Sequence, residues 1–243
     1  MLNAQTRHFR LTLMVGLVLL AVTLTGGAAS AVAPGVVKPT QELAGLLGSH
    51  EALSAPDEHS PPVGLVRARR PITGEPTVLP VIGHKTGAEG LEWLRVRLPG
   101  RPNGLTGWIR QRATVPALTS WHIVVDTSAR RAIVYRDGRV GRVFGAIVGK
   151  PSTPTPRGEF FVEEVVRLPA GAVGAPFALA LSARSYVLQE FAGGPGQIAL
   201  HGVANIGGVL GTAVSHGCVR LDNGAMRWLV ARIGPGVPVT VTR

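Results

Sequence analysis

The sequence predicts a mainly β protein: a β-sandwich or barrel carrying one late helix, preceded by a smaller β-barrel. Three observations point there. Short β-branched or aromatic runs such as "WHIVVD" and "GEFFVEEVV" recur between Gly, Pro, Asp and Ser, the punctuation of strands. Asn103-Gly104 and Asp137-Gly138 are tight-hairpin dipeptides. Convincing helical spacing occurs once, after Asp222.

The elements follow in chain order. Residues 1–31 open with Arg7, His8 and Arg10, continue as an apolar run from Leu11 to about Leu24, and reach small residues at Ala29 and Ala31. That is the layout of a secretory signal peptide cut after Ala31. The competing reading is an uncleaved membrane anchor, although the apolar stretch of about 14 residues falls short of the roughly 20 a spanning helix needs. Either reading exports the body to the cell wall or periplasmic space. Residues 32–62 are rich in Pro, Ala, Gly and Ser and predict a linker, with a helix-compatible piece, "TQELAGLLGSHEAL", that Thr40 could cap. Residues 63–116 read as a β module of short strands. In "WLRVRL", alternation sets Leu94, Val96 and Leu98 against Trp93, Arg95 and Arg97. Residues 119–243 continue the strand pattern. The helix begins near Asp222 or Asn223, either a suitable N-cap. It presents Ala225, Met226, Leu229, Val230 and Ile233 on one face, stops at Gly234-Pro235-Gly236, and is followed by a closing strand, "PVTVT".

The net charge of +11 falls to +9 without residues 1–31, which hold Arg7 and Arg10 and no acid. On an exported chain that charge favours anionic wall polymers over nucleic acid, through the summed field rather than specific contacts. One cysteine, Cys218, excludes an internal disulfide. A single thiol in an oxidising compartment is either buried and inert or kept for its reactivity.

The surroundings of Cys218 favour reactivity. The stretch "SHGCVRL" sets His216 two residues before it, and His201 ends an apolar strand followed by the glycine-rich "GVANIGGVLGTAVS". A free thiol is mostly protonated near neutral pH, so a nucleophilic cysteine needs a base or a positive neighbourhood. The loop could fold back and bring His201 to the thiol, and the amides around Gly217 and Cys218 could donate to an oxyanion. Two alternatives stay open on spacing alone. Cys218 could be a buried small hydrophobe, or Cys218, His201 and His216 could hold zinc with an open fourth position.

The run from His201 to Leu221, "HGVANIGGVLGTAVSHGCVRL", resembles the signature of the L,D-transpeptidase catalytic domain, also called the YkuD domain. "VGKPSTPTPRGEFFV" resembles that family's "TPTP" stretch, and "VVDTSARRAIVYRDGRV" its opening hairpin. "WLRVRLPGRPNGLTGWI" is similar to bacterial SH3-like modules. The resemblance implies an L,D-transpeptidase-type sandwich behind an SH3-like barrel, with Cys218 as nucleophile, His201 as its base and His216 as the second histidine of the core motif. Ser215, Gly217 and Arg220 match the remaining positions, with substrate or oxyanion roles, Arg220 either binding a substrate carboxylate or bracing the loop. It implies no cofactor and no metal. The expected partners are peptidoglycan stem peptides, with carbapenem-type β-lactams as covalent inhibitors. The expected reaction is 3→3 cross-linking through a cysteine thioester. Hydrolysis of the same stems by an L,D-carboxypeptidase, or a non-catalytic wall-binding protein, are the rivals.

Overall fold

The computed structural model describes residues 37–87, 90–190 and 193–243. The segment expected to be a signal peptide or anchor lies outside the described residues. Among the described residues no helix is long and apolar enough to cross a membrane.

The first seven strands form one curled sheet: β1 Gln41–Leu46, β2 His50–Leu53, β3 Pro62–Val66, β4 Val78–Thr86, β5 Glu92–Arg97, β6 Thr106–Arg110 and β7 Thr114–Thr119. Their order is β3-β2-β6-β5-β4-β1-β7. Leu94, Val96 and Leu98 enter its core as the alternation requires. Trp93, on the arginine side of that alternation, is buried as well, because the Arg110 guanidinium stacks 4.5 Å from its ring centroid.

Two expectations fail here. Residues 41–53 are not linker or helix but β1 and β2. The piece "QELAGL" runs as a strand because β4 and β7 flank it on both sides, with Leu43 opposite Pro80 and Ala117. Pairing with two partners and burial of Leu43, Ala44 and Leu46 override the local helix preference. Asn103-Gly104 is not a two-residue turn either. The β5–β6 connection closes on the Leu98 N–H to Leu105 carbonyl bond, and Asn103 turns outward to another part of the chain.

The remaining strands are β8 Trp121–Asp126, β9 Arg131–Arg136, β10 Arg139–Gly145, β11 Val148–Gly149, β12 Gly158–Arg167, β13 Phe177–Arg184, β14 Gln197–His201, β15 Ala213–Ser215, β16 Val219–Arg220 and β17 Pro238–Thr242. Eight of them form a sheet ordered β10-β9-β8-β17-β12-β13-β14-β16, while β11 and β15 pair separately. The Asp137-Gly138 hairpin forms as the dipeptide predicts, with φ of 52° and 73°, the left-handed pair of a type I′ turn. The α-helix, α1 Asn223–Val230, is capped by Asp222, whose carboxylate accepts the Ala225 N–H at 2.8 Å. Ala225, Met226 and Leu229 face the sheet.

β12 explains how the two sheets adhere. Phe160 to Glu164 are all buried, so both faces of this strand are covered. Phe160 and Val162 belong to the core of the eight-stranded sheet, whereas Phe161 enters the core of the first. A bulge between Val162 and Glu164 accompanies burial of two adjacent carboxylates. Glu163 meets Arg70 at 3.0 Å and Arg184 at 2.9 Å, and Glu164 accepts bonds from the Ile72 and Thr73 amides and the Thr73 hydroxyl.

Candidate active site

β14 and β16 run parallel, with Leu200 beside Val219 and His201 beside Arg220. Side chains alternate, so Leu200 and Val219 enter the core while His201 and Arg220 share the other face. Cys218 stands immediately before β16, alongside Ala199, whose backbone N–H reaches the thiol. Cys218 and His201 are thus set diagonally on adjoining segments, an offset that aromatic and long side chains can span. Arg220 acts electrostatically on both.

The half-buried Cys218 and His201 are both held toward neutrality. Burial pushes the thiol above the ordinary cysteine range, and the Ala199 amide and the Arg220 charge only partly offset this. Burial lowers His201 below the ordinary histidine value, the Gly202 carbonyl works against it, and Arg220 adds to the lowering. The His201 ring lies 2.8 Å from the Gly202 carbonyl through Nδ1. A carbonyl only accepts, so Nδ1 carries the proton and Nε2 keeps its lone pair. Burial at both groups thus works against an ion pair and toward a thiol and an imidazole.

Ser215 and Gly217 have structural duties that the sequence reading did not anticipate. Ser215 is fully buried; its hydroxyl donates to the Cys218 carbonyl at 2.6 Å and accepts the Gly217 N–H at 3.2 Å. The Gly217 amide expected at an oxyanion is thus committed within the turn. Gly217 has φ +120°, and a Cβ there would come 3.1 Å from Ile198 Cδ1, so this tight turn requires glycine. His216 is exposed. Arg220 is buried and braces the glycine-rich loop, with Nη1 donating to the Gly207 carbonyl at 3.3 Å, while its Nε is buried without a partner. Among the described residues no group of three or more His, Cys, Asp or Glu side chains is placed to hold a metal.

The "TPTP" stretch earns its place by wrapping this turn. The Thr153 hydroxyl donates to the Ser215 carbonyl at 3.2 Å, Lys150 N–H to the same carbonyl at 3.0 Å, and the Thr155 hydroxyl accepts the Gly149 N–H at 2.9 Å. One further residue escaped the sequence reading. Gly174, with φ +83°, lies against the His201 ring, and a Cβ there would sit 2.5 Å from Nδ1. Its N–H bonds the Ala204 carbonyl and its carbonyl takes the Gly202 N–H, both at 2.8 Å. Nothing in "PAGAVGAPF" distinguishes Gly174 from Gly171, since only the fold brings one of them to the imidazole. Asn205, at φ 57°, bonds the Ala170 and Ala172 carbonyls and so holds that segment.

Residues 120–241 match the model of the YkuD family, the L,D-transpeptidase catalytic domain. The chain belongs to that family. It is 31% identical over 150 residues to the putative L,D-transpeptidase YkuD of Bacillus subtilis, covering 60% of this chain and 82% of the relative. It is also 31% identical to L,D-transpeptidase 1 of Mycobacterium tuberculosis over 130 residues, 49% of each chain. Among solved structures, the L,D-transpeptidase LdtMt1 in complex with imipenem is 20% identical, with a TM-score of 0.42 over 68% of this chain and 91% of that one. The family match includes residues 201–221 and leaves the module of β1 to β7 outside it.

Proposed function

We propose that the protein is an exported peptidoglycan L,D-transpeptidase that makes 3→3 cross-links through a thioester on Cys218. The observation that carries this reading is the placement of His201 and Cys218 beside one buried guanidinium, on adjoining segments of one sheet. Because both groups rest neutral, the proton moves as the bond forms. The Cys218 sulfur attacks the carbonyl of the third stem residue while His201 Nε2 takes the thiol hydrogen. The negative charge that develops on the carbonyl oxygen is favoured by Arg220, a fixed cation in a low-dielectric setting. Collapse breaks the bond to the fourth residue, D-Ala, whose amine takes the proton from His201, leaving a thioester. An amine from a second stem then attacks, gives its proton to His201, and displaces the sulfur, which regains its hydrogen. The two acyl transfers conserve bond energy without ATP.

Two measurements test this. Intact mass after incubation with a carbapenem should show one adduct on the wild type and none on Cys218→Ala. Muropeptide mapping of tetrapeptide-bearing sacculi should show new dimers joined between third positions. Tripeptides alone would make the enzyme a carboxypeptidase. Absence of both adduct and products would leave a passive envelope component.

A further inference from the structure

The connection from β13 to β14, described over residues 185–190 and 193–196, enters β14 at the end where the thiol lies. Ile198 packs on Gly217, and Ala199 presents its N–H to Cys218. Whatever fixes this connection fixes how β14 meets the nucleophile. Part of the support is internal. Ser185 N–H bonds the Gly196 carbonyl at 2.8 Å, and the Ser185 hydroxyl accepts the Val187 and Leu188 amides at 3.2 and 3.0 Å.

The rest comes from the β5–β6 loop of the first sheet, outside the family match. Arg101 Nη1 donates to the Pro195 carbonyl at 2.8 Å, and Nη2 to the carbonyls of Ser185 and Leu188 at 2.9 and 3.1 Å. One guanidinium thereby ties the start, the early middle and the end of the connection. Gly196 admits this closeness: at φ +65°, a Cβ there would collide with the Leu188 carbonyl and come 3.1 Å from Arg101 Nη2. Among the described residues Arg101 forms no ion pair, so its charge strengthens these three bonds alone. Two residues on, Asn103 pairs with the Arg184 backbone in both directions, at 2.7 and 2.8 Å, where β13 ends. Arg101, Asn103, Arg184, Tyr186 and Gln189 line a cleft of about 430 Å³ at this junction.

We propose that Arg101 is a positioning residue for the thiol chemistry: through its guanidinium the amino-terminal module holds the β13–β14 connection at Ser185, Leu188 and Pro195 so that β14 keeps Ala199 and His201 in place beside Cys218. The inference rests on the L,D-transpeptidase reading for its catalytic meaning but not for its test. The Ala199 N–H stabilises a thiolate at Cys218, so letting β14 drift weakens that support. General loosening of the fold acts in the opposite sense, exposing the sulfur and speeding its alkylation.

The experiment compares the full chain with Arg101→Ala and Arg101→Lys. Iodoacetamide alkylation of Cys218 across pH is followed by mass, and amide hydrogen exchange is followed at Val187, Leu188 and Gly196. Arg101→Ala should speed exchange at those amides about tenfold while leaving β8 and β9 unchanged. It should slow alkylation several-fold, with the pH profile moved to higher pH, and Arg101→Lys should restore part of both. In cross-linking, kcat should fall about tenfold with KM nearly unchanged. Unchanged exchange, or alkylation that is unchanged or faster, overturns the proposal; should Arg101→Ala fail to fold, the Lys variant alone decides by the same criteria. Absence of cross-linking by the wild type would sink the transpeptidase reading and leave the alkylation and exchange results to judge Arg101.

Discussion

Two regions of this chain bury charge, and they do it differently. At the junction of the sheets, Arg70, Glu163 and Glu164 are buried and Arg184 is half-buried; Glu163 meets both cations, and Glu164 takes two amides and a hydroxyl. At the thiol, Arg220 is buried with no ion pair among the described residues, one bond to a carbonyl, and a partnerless Nε. Its neighbours Cys218 and His201 are both held neutral by burial. Charge compensated in place holds parts together. In the proposed reaction, an uncompensated cation beside two neutral, titratable groups meets the negative charge that develops on the carbonyl oxygen.

The contrast can be broken from either side. The largest effect is expected from His201→Gln, which removes the proposed proton acceptor and should lower transfer by about 10²–10⁴-fold while barely moving the melting temperature. Glu163→Ala should do the reverse. It strands the buried Arg70, leaves the half-buried Arg184 without its carboxylate, and should cost about 3–5 kcal/mol of stability, read by denaturant unfolding, while turnover per folded molecule stays near wild type. Gly174→Ala lies between these, because a methyl group at φ +83° meets the His201 ring. Turnover should fall roughly 10- to 100-fold, and the His201 imidazole resonances should shift.

The smallest effect is on pH dependence. His201, His122 and His50 are each lowered below the ordinary histidine value, chiefly by burial. The unfolded chain takes up these protons at the ordinary value, and the folded chain only at its own lower values. Stability is therefore full above the ordinary value and declines as pH falls through the window down to the folded values. Melting temperature measured against pH should show this decline, and His122→Gln should flatten part of it.

Local chemistry made much of the fold legible. Asp137-Gly138 demands left-handed backbone, Asp222 is a strong N-cap, and the "WLRVRL" alternation orients β5; each acts within a few residues. Residues 41–46 read otherwise because β1 owes its form to β4 and β7, partners some 35 and 70 residues distant. Asn103 misled for the same reason, since its amide is spent on Arg184 rather than on its own turn. In the site, Cys218 and His201 were visible as reactive types beside glycine-rich spacing. The inward Ser215, the glycine against the imidazole and the mutual neutrality of thiol and base were not, because burial is a property of the assembled sheet.

The placement of β17 has a consequence for how the molecule is made. It lies inside the eight-stranded sheet, parallel to β8 and antiparallel to β12, although more than a hundred residues separate it from β8. Until β17 is in place, both neighbours present open edges to any other strand, and the loop that must close is among the longest in the chain. Assembly of the eight-stranded sheet thus waits on β17, and without it the strands that hold Cys218 and His201 are cut off from β8 and β9.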